Sequence, residues 1–194
     1  MAALEMTPDR LHFTGDDEAD ALLAAEPMAL LIGFALDQQV PVQTAFSGPL
    51  KLRQRIGTLD PGRLAATDPA DLEAAFREKP AIHRFPGSMA GKVQALCAFI
   101  AERYDGDASR IWGEAKDGRD LQARLLELPG FGEMKARTVL SVLAKRYGVS
   151  LPGLEGVVPK HPTLGDVDSP EALASYQAGK RAYKASMRAQ GKRA

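Results

Sequence analysis

The chain holds a single cysteine, Cys97. One thiol forms no internal disulfide and leaves a cysteine-ligated cluster or zinc site without ligands. Cys97 falls on the apolar face of an expected helix, which points to core packing. Histidine is nearly as scarce, with three residues. No HExxH, CxxC or Walker-type pattern occurs, so neither a catalytic zinc nor a nucleotide cofactor is expected. Long apolar runs are missing as well. The longest, Met28 to Leu36, has nine residues and includes Gly33, against the roughly 20 that a membrane helix requires. The opening MAALEMTPDR has no basic stretch leading into an apolar one, which argues against a secretory signal and for a cytoplasmic location. No segment shows convincing strand alternation, and there is no internal repeat.

What is present is ordinary for a globular chain: 45% hydrophobic and 26% charged residues over a length of 194. That length suits one domain or one fold with two lobes. Net charge is zero but unevenly spread. Six basic and no acidic residues lie between Lys180 and Ala194, leaving 19 basic against 25 acidic elsewhere. This basic tail, 180–194, is either a solvated end or an arm that attracts phosphate.

Helical periodicity dominates. Met89, Val93, Leu96, Cys97, Ile100 and Tyr104 recur at three- and four-residue steps, as do Ala136, Val139, Leu140, Leu143 and Tyr147. Each set is one face of an amphipathic helix. Asp60-Pro61, Asp68-Pro69 and Ser169-Pro170 place a capping oxygen before a proline at the first helical position. Helices are predicted near 17–25, 27–38, 42–56, 61–66, 69–78, 88–104, 119–127, 133–147 and 170–189, with Pro49 bending or splitting the third. Residues 149–168, with three prolines and three glycines, read as a loop, and loops of that length are usually functional or mobile. The expected fold class is all-α.

The most informative segment is Leu128-Pro129-Gly130-Phe131-Gly132-Glu133-Met134-Lys135-Ala136. Pro129 ends one helix, Gly130 and Gly132 permit a tight turn, and the next helix opens with unpaired N–H groups. Those groups and the helix dipole form an anion site, and the glycines let a phosphate approach the backbone. Gly130, Phe131, Gly132 and Lys135 are therefore candidate DNA contacts. The plainer alternative is a tight turn between antiparallel helices.

With this hairpin the sequence resembles the helix-hairpin-helix (HhH-GPD) superfamily of base-excision DNA glycosylases, in particular its small bacterial members without an appended domain. Leu36-Asp37-Gln38-Gln39 is similar to the L-S-Q-Q of the 3-methyladenine branch and the L-S-A-Q of the endonuclease III branch. Gly87-Ser88-Met89-Ala90, followed by Tyr104-Asp105-Gly106-Asp107, resembles the family's approach to the hairpin. The resemblance implies two helical lobes around a cleft: one of about 27–148 with hairpin 128–136, the other from 1–26 plus 149–194. It implies that a damaged base is flipped out of duplex DNA into that cleft. Gln39 matches a position that fills the gap left by the base, or is a solvent-facing helix end.

Breaking an N-glycosidic bond calls for a carboxylate near the sugar. Bifunctional relatives also use a lysine nucleophile, and its position here is Met134. Lys135 comes one residue later, a turn of about 100° on the helix. A monofunctional enzyme without strong lyase activity is therefore expected. The family's catalytic aspartate falls eighteen residues after the lysine position, which here is Pro152. The candidates are instead Asp166 and Asp168, since Val167-Asp168-Ser169 is similar to the family's V-D-T. Both also suit a helix-capping role. Trp112 and Phe46 could stack on a base or fill the core, and His83 could touch a base or phosphate or be an ordinary surface residue. The resemblance further implies a monomer on DNA in the nucleoid and a monovalent cation at the hairpin carbonyls, while the single cysteine leaves an iron–sulfur cluster without ligands. Two other readings stay open: a non-catalytic DNA-binding protein and, more remotely, an all-α interaction adaptor.

Overall fold

The computed structural model describes residues 7–191. Ten α-helices follow one another: α1 Asp17–Ala25, α2 Pro27–Leu36, α3 Val42–Ile56, α4 Pro61–Ala66, α5 Pro69–Arg77, α6 Pro86–Tyr104, α7 Arg110–Gly113, α8 Gly118–Leu126, α9 Glu133–Arg146 and α10 Pro170–Ala189. The protein is all-α, as its periodicities require. Among the described residues no single helix is long and apolar enough to cross a membrane.

Helix α2 is the centre of the core. It is apolar on every side, and Met28 through Leu36 are all buried, as expected of a helix surrounded by others. Gly33 lets α3 approach it: a side chain there would run into the ring of Phe46. Phe46 is fully buried and meets Phe13 and Phe34 edge-on, with ring centroids 5.0 Å apart in each case. Trp112 is also core, at 2% exposure. Burial pushes the Cys97 thiol up to about 12, which fits inert packing.

Several expectations need correction. Helix α2 stops at Leu36 rather than 38, because Asp37 takes ψ 67° and Gln39 a left-handed φ of 57°. Pro49 does not split α3, which runs unbroken through it. The four-residue α7 was not foreseen. Residues 149–168 contain two 3-10 turns, Leu154–Gly156 and Leu164–Asp166. The first packs so closely on α8 that a Cβ on Gly118 would lie 2.5 Å from the Leu154 Cα. The second packs on α9 at Ser141. The segment is packed structure rather than a free loop.

The helices also group differently from expectation. Helix α1 packs on α2 and α3, and α6 packs on α2, α4 and α5. The remaining elements pair among themselves: α8 with α7 and α9, the second 3-10 turn with α9 and α10. Residues 17–25 thus join the N-terminal group. Leu22 and Leu23 bury into it. Asp20, 3% exposed, fixes the approach by accepting the N–H groups of Phe13 and Thr14 at 3.1 and 3.0 Å. Residues 1–6, the start of the expected second lobe, lie outside the described residues, as do 192–194 of the basic tail.

Candidate functional site

The hairpin forms as its composition dictates. Gly130 adopts φ +80°, where an L side chain is strained. The Phe131 N–H donates to the Leu128 carbonyl at 3.0 Å and closes the turn. Gly132 is the N-cap of α9 and supplies no side chain to cap it. The first-turn N–H groups of α9 are therefore free for an anion. A Cβ added to Gly130 or Gly132 would meet nothing within 4 Å, so the loop's outer surface is open.

Phe131 and Lys135 do not share that outer surface. Phe131 is 5% exposed. The Lys135 ammonium stands 5.4 Å over its ring, buried and without a hydrogen-bond partner. Met134, at the family's lysine position, is 85% exposed. The one-residue offset turns the lysine inward and the methionine outward.

Asp37, the first polar residue after the buried run of α2, feels the charge of Lys135. Burial pushes the Asp37 carboxyl up, and Lys180 and Lys135 oppose that rise. Burial holds the Lys135 ammonium below its usual range, Asp37 pulls it back and Lys92 pushes it further down. Three lysines from α6, α9 and α10 thus bear on one carboxylate or on each other. No nitrogen of Lys135 comes within 4.0 Å of an Asp37 oxygen.

The neighbouring residues are held firmly. Gln38 donates to the Ala35 carbonyl at 3.0 Å and accepts from the Lys92 ammonium at 2.9 Å. His83 is 1% exposed, not a surface residue, and its Nε2 lies 3.0 Å from the Gln38 carbonyl oxygen. Gln39 projects into solvent in its left-handed conformation. Gln43 and Gln177 exchange side-chain hydrogen bonds at 2.7 and 3.2 Å, tying α3 to α10. Tyr176 is half-buried beside them, its hydroxyl pushed up to about 12 by burial and by the charges of Asp37 and Asp166.

The two expected carboxylates differ. Asp166 is engaged: it lies 2.5 Å from the Lys145 ammonium and accepts the Thr163 N–H at 2.8 Å. Burial raises its carboxyl, but those bonds outweigh it and hold the group below its ordinary value. Asp168 is exposed and makes no side-chain hydrogen bond among the described residues. Helix α10 begins two residues after it, capped by Ser169, and carries Lys180, Arg181, Lys184 and Arg188, all exposed. The described part of the basic tail is therefore a helical arm.

Sequence reasoning took Lys135 for a DNA contact, whereas its ammonium is buried. The signal was nonetheless there. Lys135 shares the i, i+4, i+7 spacing with Val139 and Val142, both buried, so its side chain starts on an inward face. Among the described residues no group of three or more His, Cys, Asp or Glu is placed to hold a metal ion. No family model, no curated protein and no solved structure matches this chain.

Proposed function

We propose that this protein is a monofunctional DNA N-glycosylase of base-excision repair, acting on a damaged or modified base in duplex DNA. The observation that supports this most is the glycine hairpin at the uncapped start of α9. It offers backbone N–H groups to a phosphate with no side chain in the way. Such a grip is independent of sequence, as a scanning repair enzyme requires. The basic face of α10 adds four exposed cations. Gln39, exposed in a left-handed turn, is suited to enter the gap left by an extruded base. In the reaction a water oxygen bonds to the sugar carbon, the carbon–nitrogen bond breaks, and the base leaves with the electron pair and a proton. Asp166 or Asp168 would support the attack.

A second reading is a DNA-binding protein that lacks this chemistry. It draws on the exposed Met134 at the lysine position and on Asp166 being occupied by Lys145 and Thr163. A panel of labelled duplexes containing uracil, hypoxanthine, alkylated purines, oxidised bases or mismatches separates the two, read with and without alkali. Strand breaks that appear only after alkali are expected. Binding to duplex DNA without product on any lesion selects the non-catalytic reading. Gly132→Asp tests the hairpin itself. The open space at Gly132 accommodates the side chain, so weakened binding to all sequences alike would come from charge rather than misfolding.

A further inference from the structure

Helix α10 outruns the elements it packs on. Leu173 is buried and Gln177 is tied to Gln43 of α3, but from Ala178 to Ala189 every residue is exposed except the half-buried Met187. This outer half extends for about 18 Å at 1.5 Å per residue, and a helix of that length is marginal without tertiary contacts. At 100° per residue its side chains sort cleanly. Lys180, Arg181, Tyr183, Lys184, Met187 and Arg188 share one side, within about 160°, and only alanine, glycine and serine occupy the other. The four cations form no ion pair among the described residues, and no acidic residue follows Glu171 in the sequence. Lys180 and Lys184, like Lys184 and Arg188, are like charges one turn apart, which weakens the helix in the free protein. A polyanion along this side removes that repulsion.

We propose that the outer half of α10 is a binding arm for single-stranded nucleic acid, its cations holding the phosphates and the Tyr183 ring stacking on an unpaired base. The cations serve any phosphate backbone; Tyr183 decides which. Its ring is 63% exposed among them, whereas the half-buried Tyr176 is already covered by the Lys180 ammonium, 5.3 Å from its centroid. An open aromatic ring between cations is the arrangement that receives successive unpaired bases. In a duplex the base faces are hidden in the stack and only their edges line the grooves, so the ring has nothing to stack on there. A membrane surface fits less well, because beyond Leu173 the helix has no leucine, isoleucine, valine, phenylalanine or tryptophan to bury in lipid. The arm stands apart from the glycosylase reading, which the hairpin carries.

The test measures fluorescence anisotropy of a labelled oligothymidylate, an abasic strand of equal length and an undamaged duplex with the full-length protein. Tyr183→Ala, the double variant Lys184→Gln with Arg188→Gln, and Gly132→Asp are compared with wild type, and circular dichroism checks their helix content. Alanine favours the helix, so a loss in Tyr183→Ala does not come from unwinding. Tyr183→Ala is expected to weaken oligothymidylate binding roughly fivefold or more and to leave the abasic strand unaffected. The double variant is expected to weaken both strands and to lower the salt slope by about 1.4. No oligothymidylate binding, or equal binding by wild type and Tyr183→Ala, overturns the proposal. So does an abasic strand bound as tightly as oligothymidylate, which leaves charge alone. Single-strand binding lost in Gly132→Asp but kept in Tyr183→Ala assigns it to the hairpin and overturns the arm. Duplex binding without single-strand binding refutes the arm and leaves the glycosylase reading intact. Single-strand binding that Tyr183→Ala weakens, with no duplex binding, keeps the arm and refutes that reading.

Discussion

The imidazole of His83 bridges two backbone groups, with Nε2 3.0 Å from the carbonyl of Gln38 and Nδ1 accepting the Phe85 N–H at 3.1 Å. This pattern requires the neutral ring with its proton on Nε2. Burial, and then the cations of Arg84 and Lys92, hold the ring below its ordinary value of 6.5, although its bond to Gln38 opposes them. The unfolded chain therefore takes up a proton that the folded chain refuses. This contribution to stability is complete above pH 6.5 and is lost as pH falls from there through the folded value. The slope is at most ~1.4 kcal/mol per pH unit. Urea titrations at pH 7.5 and 5.5 should show the loss in wild-type protein and a smaller one in His83→Gln. An equal loss in both would place the sensitivity elsewhere.

A second prediction concerns the tie between the two groups of helices. The Tyr147 hydroxyl, at the end of α9, donates to the Leu23 carbonyl of α1 at 2.7 Å. That carbonyl has a specific need. Its helical partner four residues on would be Pro27, which has no N–H. Tyr147→Phe leaves a buried acceptor unsatisfied and should cost about 1–3 kcal/mol. Chemical denaturation measures it. A stability unchanged from wild type would mean that water reaches Leu23.

How far the sequence was legible depended on what each feature needed in order to be seen. Helices with a cap and a proline, such as α4, α5 and α10, announce themselves locally, because Asp60, Asp68 and Ser169 each bond to a nearby N–H. The end of α2 was less visible. Asp37 and Gln38 are tolerable in a helix, and only the tertiary hold of His83 on Gln38 shows why the chain turns there. Residues 149–168 misled because prolines and glycines signal breaks without revealing what the segment packs on. Gly165 is required by its contact with Ser141, a relation across 24 positions that no local pattern contains. The influence of the Lys135 charge on Asp37 is of the same kind, relating the end of α2 to α9 across about half of the chain.

Gly33 offers a test of the core. Alanine is the better helix former by about 1 kcal/mol, so substitution in isolation would stabilise α2. Here its methyl group would strike Phe46, whose ring is set edge-on against Phe13 and Phe34 and has no free direction in which to move. Overpacking of this kind costs about 1–3 kcal/mol. Gly33→Ala should therefore lower the urea midpoint, and adding Phe46→Leu should recover part of the loss relative to Phe46→Leu alone. Strictly additive effects would show that the ring yields without strain.

The two C-terminal carboxylates can be separated by what each does for the fold. Asp166 joins α9 to the second 3-10 turn through Lys145 and Thr163. Its depressed carboxyl value makes its contribution full above the unfolded value of 3.8 and lost as pH falls through the folded one. Asp166→Asn should therefore melt earlier than wild type at pH 7, with the difference closing in acid. Asp168 is exposed and unengaged, so Asp168→Asn should melt like wild type. On the glycosylase reading Asp168 is the freer of the two to approach a sugar. Its replacement should reduce excision by about 10²-fold or more with duplex affinity retained. Full excision by Asp168→Asn would remove it from the chemistry. A loss confined to Asp166→Asn and larger than its change in stability explains would assign the role to Asp166, with Lys145 as the group it must release.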